Sequence, residues 1–271
     1  ASKADQHQPD INFTLNYQTN HIAAADNLVF CLDLLSNLNI YEKLYKNEFK
    51  LKNSVKLNLP NVSCFAANSK YVAYGYTSLK KEQLKSKMKM PSVGIAVHAR
   101  DGHIVCSIAE KVIELNAGGE SLKQPTRLAM NEKHLFVFDQ EIGSLFKFSL
   151  ANGALISRAK LDYQPSALSV NAHYLVATDS AKCKLNLIDG AAANELKLLR
   201  QATISSDKPL LNGVLITSDN LIFLKTSDSQ FILMDLNQEL IATYNHFPST
   251  IQNLLLVQDN VNKMLVVVVS S

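Results

Sequence analysis

Three groups of side chains in this chain are of a type that could do chemistry. Lys80, Lys81, Lys85, Lys87 and Lys89 crowd into one polar insertion, Thr77 to Ser92, with Glu82 among them for a local charge of +4. Such a cluster could neutralise phosphates with release of counterions, or meet an acidic protein, and otherwise is a solvated loop. Met88 and Met90 in the same loop could give an adaptable apolar contact. Second, His98 and His103 flank an Arg100-Asp-Gly102 hairpin turn, and Cys106 follows. These are zinc-ligand types, but strand alternation does not bring all three together, so they read as solvated hairpin residues. Third, Asp139 and Asp179 stand at equivalent places in a repeated segment, where an Asp hydrogen-bonds the turn that follows it. Arg127, Lys182 and Lys184 lie close to them in sequence. No Gly-x-Ser-x-Gly elbow, phosphate loop or His-Glu-x-x-His occurs, so neither a catalytic constellation nor a metal or cofactor is expected.

The elements that must position these residues come from the repeat. Pro125-Thr-Arg-Leu-Ala-Met-Asn131 leads to Asp139, and Pro165-Ser-Ala-Leu-Ser-Val-Asn171 leads to Asp179. The two prolines are 40 residues apart. After each Asp come a polar turn, an alternating strand (Leu145 to Leu150, Leu185 to Ile188), a second turn (Asn152-Gly153, Asp189-Gly190) and a last strand. Four short strands at a period near 40 define a β-propeller blade.

The remaining chain fits that plan. Ile11 to Tyr17 alternates apolar and polar as one isolated strand. Leu28 to Leu32 is a strand ending at Asp33, and the spacing of Leu34, Leu38, Tyr41 and Tyr45 makes a short helix a competitor there. Val62 to Ala67, Tyr71 to Tyr76 and Val93 to Ile108 give a long second unit. Val214 to Leu224 begins a fifth, with Lys225 where the Asp should be, and Ile251 to Val257 with Met264 to Val269 give a short last one. The expected architecture is all-β, a single six-bladed β-propeller over residues 1–271 closed by pairing of its N- and C-terminal strands. Its blades run about 20–59, 60–122, 123–162, 163–207, 208–247, and 248–271 plus the strand 11–17.

A chain of 271 residues, 47% hydrophobic and 19% charged, is long enough for such a core. Net charge is +3, but residues 42–89 hold eleven Lys and three Glu and no Asp, leaving the rest at −5. One sector is basic, with Tyr45, Phe49, Tyr71, Tyr74 and Tyr76 in it, most of them at core spacing along strands. Cys31, Cys64, Cys106 and Cys183 are far apart among apolar neighbours and read as buried thiols of a reducing compartment, placing the chain in the cytoplasm. No apolar run approaches the roughly 20 residues of a membrane helix. Starting without a Met and stopping just after a strand, the chain reads as a domain of something longer.

The stretch from Pro165 to Leu185, with Asp179, Lys182 and Lys184-Leu185 in register, resembles the NHL repeat. Pro125 and Asp139 keep the pattern in the preceding unit, with Ser144 at its basic position. The absence of Trp speaks against a WD-repeat propeller. The resemblance implies a module like that at the C-terminus of tripartite-motif (TRIM) ubiquitin ligases, a non-catalytic propeller that recruits protein clients. It would use the Lys80 to Met90 insertion and the turns around Arg127, Asp139, Asp179, Lys182 and Lys184. The alternative is a propeller that binds single-stranded RNA on the lysine-rich face. Oligomerisation would come from regions outside this chain.

Overall fold

The structure, a computed structural model, describes residues 19–44, 48–57, 61–77, 93–101, 104–105, 121–192, 194–204, 211–227, 229–245, 247, 250–258 and 263–269. Five four-stranded antiparallel sheets follow one another along the chain. The first is β1 (Thr19–Ala25), β2 (Leu28–Asp33), β3 (Asn37–Lys43) and β4 (Phe49–Lys56). The second is β5 (Val62–Ala67), β6 (Tyr71–Thr77), β7 (Val93–Asp101) and β8 (Ile104–Val105). The third is β9 (Pro125–Met130), β10 (His134–Asp139), β11 (Ser144–Ser149) and β12 (Leu155–Lys160). The fourth is β13 (Ala167–Val170), β14 (Tyr174–Asp179), β15 (Lys184–Asp189) and β16 (Leu198–Thr203). The fifth is β17 (Val214–Ile216), β18 (Ile222–Ser227), β19 (Gln230–Met234) and β20 (Leu240–Tyr244). Last comes a two-stranded ribbon, β21 (Ile251–Gln258) and β22 (Lys263–Val269).

Side-chain alternation explains why these strands stack face to face. In β10, Leu135 and Val137 pack toward the second sheet with Cys64 and Val97, while Phe136 and Phe138 pack toward the fourth with Leu175 and Ala177. In β14, Leu175 and Ala177 face back, and Val176 faces the fifth sheet with Leu224. A strand covered on both faces must be apolar at every position, and Leu135 to Phe138 is, each residue at most 1% exposed. Outer strands have no such cover. β16 reads Leu-Leu-Arg-Gln-Ala-Thr and is exposed along most of its length.

The expectation of six blades closed by strand pairing is corrected here. The propeller has five four-stranded blades, and no described strand of the N-terminal region pairs with β22. The expected closing strand, 11–17, lies outside the described residues. Closure instead rests on packing. Leu255 and Val257 of β21 bury against Val29, Cys31 and Tyr41 of the first blade. Ile251 and Leu254 bury against Phe231 of the fifth. The Gln258 amide donates to the Asp26 carbonyl at 2.7 Å, stitching the two ends. Phe231 also stacks on Tyr244 with ring centroids 4.7 Å apart. The helical alternative beginning at Leu34 is not taken over Leu34 to Tyr41, and Tyr45 lies outside the described residues. Leu38 and Ile40 are fully buried in β3, which pairs with both β2 and β4.

Candidate functional site

The innermost strands β1, β5, β9, β13, β17 and β21 surround a central channel with a cavity at each end. The turns between the first and second strands of each blade surround one mouth, a cavity of about 740 Å³. Here the repeated Asn does two jobs at once. Asn68 Oδ1 accepts from the amides of Lys70 (2.8 Å) and Tyr71 (2.7 Å), and Asn131 and Asn171 cap their own turns in the same way. Each Nδ2 then donates across to the next blade. Asn68 reaches the Asn131 carbonyl at 2.7 Å, Asn131 reaches the Asn171 carbonyl at 2.9 Å, and Asn171 reaches the Thr217 carbonyl at 2.8 Å. The result is a belt through four blades in which each asparagine uses both ends of its amide.

Charges at this mouth are mixed. Asp26, Glu132 and Lys133 line it, and Glu132 accepts from the Ser69 amide and hydroxyl. Burial, with Lys147 and Lys133 adding to it, pushes the His134 imidazole down to about 4. Lys147 is itself buried in β11, its Nζ donating to the Ala192 carbonyl at 2.7 Å.

The opposite mouth, about 460 Å³, is built differently. Four residues before the capping position of each blade, the inner strands present His21, Cys64, Arg127, Ala167 and Gly213. Arg127 is the one residue of ordinary fixed charge among the described lining, which includes no Asp, Glu or Lys. Its Nε donates to the Ser166 carbonyl at 2.8 Å, and one Nη to the Thr126 carbonyl at 2.7 Å. Burial lowers its pKa. Burial also lowers that of His21, which sits 3.0 Å from the Val62 carbonyl, and the Arg127 charge lowers it further. The Cys64 thiol is pushed up to about 11, chiefly by burial, so it is a packed thiol and no nucleophile.

Around this mouth stand the turns between the second and third strands of each blade, at the end opposite the asparagine belt. Asp139 is fully buried in such a turn. Its Oδ2 accepts from the amides of Lys123 (2.6 Å) and Gln124 (2.9 Å), and Oδ1 from that of Ile142 (3.1 Å). Asp179 Oδ1 accepts from the amides of Ala181 and Lys182 at 3.0 and 3.1 Å. Both carboxylates therefore hold turns. Lys182 pairs with Asp162 at 3.1 Å, and Lys184 donates to Gln201 at 2.8 Å, both at the surface. Of the five described residues among those expected to bind a partner, only Arg127 lines the channel. Lys80, Lys81, Lys85, Lys87 and Lys89 lie outside the described residues, as do His103 and Cys106.

One feature of this face is not among those expectations. Leu34 and Leu35, 66% and 74% exposed, form the β2–β3 turn. Asp33 Oδ1 fixes it by accepting from the amides of Leu35 (2.9 Å) and Asn37 (2.8 Å). Two adjacent leucines inside a polar turn break the rule that turns are polar, and that is the sequence signal for them.

No group of three or more His, Cys, Asp or Glu gathers to hold a metal among the described residues. No family model matches the chain, and no curated protein does. Solved structures do match. Kluyvelomyces marxianus Hsv2 superposes with a TM-score of 0.56 at 10% identity, over 90% of this chain and 72% of that one. KlHsv2 with loop 6CD replaced by a Gly-Ser linker gives 0.55 at 9% identity, over 92% and 89%. The β-propeller domain of Myceliophteria thermophila Cps50 (Swd1) gives 0.57 at 10% identity, over 90% and 92%. These likenesses show the β-propeller fold. They correct the NHL resemblance, and the TRIM, ubiquitin-ligase and RNA-binding roles it implied lose their basis with it. The physical reason is that the matching Asn and Asp cap turns, a task that blade geometry sets whatever the family.

Proposed function

We propose that this propeller is a non-catalytic protein-interaction module that engages its partner across the Arg127 end of the channel. The observation that carries the reading is the Leu34–Leu35 turn, two exposed apolar side chains on a backbone held by Asp33. Exposed leucines on a rigid turn lose little conformational freedom when covered, and so suit a contact centre. At the same end of the propeller lies a cavity whose described lining holds a single fixed cation, which adds charge selectivity to apolar contact.

No helix among the described residues is long and apolar enough to cross a membrane. A cytoplasmic setting belongs to the same proposal, supported by Cys64 and Cys183 as free thiols. A fluorescent fusion tests it, and secretion of the fusion would overturn it.

The interaction reading is tested with a photo-crosslinking amino acid placed in cells at Leu35 or at Lys133, one for each end of the channel. The expected result is a discrete protein adduct from position 35 and none from position 133. Adducts from position 133 alone, or from neither position, would sink it.

A further inference from the structure

We propose that Arg127 is a subsite for a carboxylate, supplied by an Asp or Glu side chain of the partner segment; this rests on the interaction reading above. A guanidinium carries five N–H donors. Two of those of Arg127 are committed, both to backbone carbonyls, and no carboxylate among the described residues pairs with it. Three donors are left on a side chain whose orientation is already fixed by its two carbonyl contacts. The blade that Arg127 reaches presents only Ala167 at the equivalent position and the blade beyond it Gly213, while Cys64 stands on the other side. A half-buried cation with no counter-charge is costly, and a carboxylate entering the cavity removes that cost.

The charge count selects the ligand. One guanidinium, with neutral Ser63, Ser166, Asn212 and Asn253 around it, balances one negative charge. A phosphate monoester brings nearly two, and the described lining offers no second cation. A side chain is favoured over a chain terminus because a segment laid over the Leu34–Leu35 turn crosses the face and can drop a side chain into the mouth. The cavity, at about 460 Å³, has room for one.

The test reads the Nε–Hε resonance of Arg127 in the intact chain, whose four arginines permit assignment by single Arg→Lys variants. The probes are acetyl-Glu-amide, acetyl-Gln-amide, acetyl-Gly-Gly with a free terminus, and inorganic phosphate. The expected outcome is a saturable shift with acetyl-Glu-amide, at least tenfold weaker with each of the others. The accompanying shift of the Gly213 amide should vanish in Arg127→Met. An equal response to acetyl-Gln-amide, or none to acetyl-Glu-amide, overturns the proposal. A stronger response to the free terminus or to phosphate overturns the side-chain source. Thermal unfolding of Arg127→Met shows whether that variant is folded, and Arg127→Lys, keeping the charge, should retain part of the response. Failure here with protein adducts still forming at position 35 would leave the interaction reading standing and remove only the carboxylate.

Discussion

The two ends of the channel are made from the same repeated strands yet treat their polar groups in opposite ways. At the belt end, Asn68, Asn131 and Asn171 spend both acceptor and donor on the protein, capping their own turns and bridging to the next blade. At the other end, Arg127 keeps three of its five donors unspent in a cavity with no described carboxylate. Saturated polar groups hold blades together. Unsaturated ones on a fixed scaffold are available to something that arrives from outside.

Variants that break this contrast should act most strongly at the belt. Asn171 makes the densest set of bonds, to the His173 and Tyr174 amides, the Thr217 carbonyl and Asn220 Oδ1. At about 1 kcal/mol net per hydrogen bond, Asn171→Ala should cost roughly 4 kcal/mol in urea unfolding. A loss under 1 kcal/mol would show that the belt is decoration. Asp139→Ala sits at the Arg127 end but in a turn, leaving the Lys123, Gln124 and Ile142 amides without their acceptor. It should cost about 2 kcal/mol, less than the belt variant, because part of those amides can turn to water. Equal or greater loss would reverse the ranking of the two ends.

A smaller effect comes through pH. Burial, helped by Lys147 and Lys133, holds His134 down to about 4, below the ordinary value near 6.5. The unfolded chain therefore takes up this proton first as pH falls, and stability drops between about 6.5 and 4. His134→Gln should flatten that part of a stability-against-pH curve while leaving the region above 7 unchanged. A variant curve parallel to the wild type across that window would contradict the assignment. Lys182→Ala should do least. Its pair with Asp162 is a surface ion pair at 3.1 Å, so the urea midpoint should not move measurably, and a clear shift would contradict that reading.

How much of this was legible in the sequence follows from how local each feature is. The Pro–Asn–Asp spacing of the third and fourth blades was readable because each Asn and Asp bonds amides two or three residues away. Apolar runs such as Leu135 to Phe138 were readable as strands, while their cover on both faces needed the adjoining blades. The same local chemistry misled over the family, since turn caps recur wherever blades turn. Ring closure was misjudged because packing of Leu255 and Val257 on Val29 and Cys31 joins positions more than 200 residues apart and leaves no pattern in either segment. Arg127 was one of several candidates named near the turns of the repeat. What singles it out, Ala167 on the blade it reaches and no carboxylate in the described lining of its cavity, needs the ring assembled.

The central claim is that the Arg127 end, and not the belt end, meets the partner. Its most direct measurement uses a peptide selected on this protein from a random display library and compares its affinity for Arg127→Met and Glu132→Gln, one neutralising variant for each mouth. The account predicts at least tenfold weaker binding to Arg127→Met and less than twofold change for Glu132→Gln. Equal losses, or a loss confined to Glu132→Gln, would contradict it.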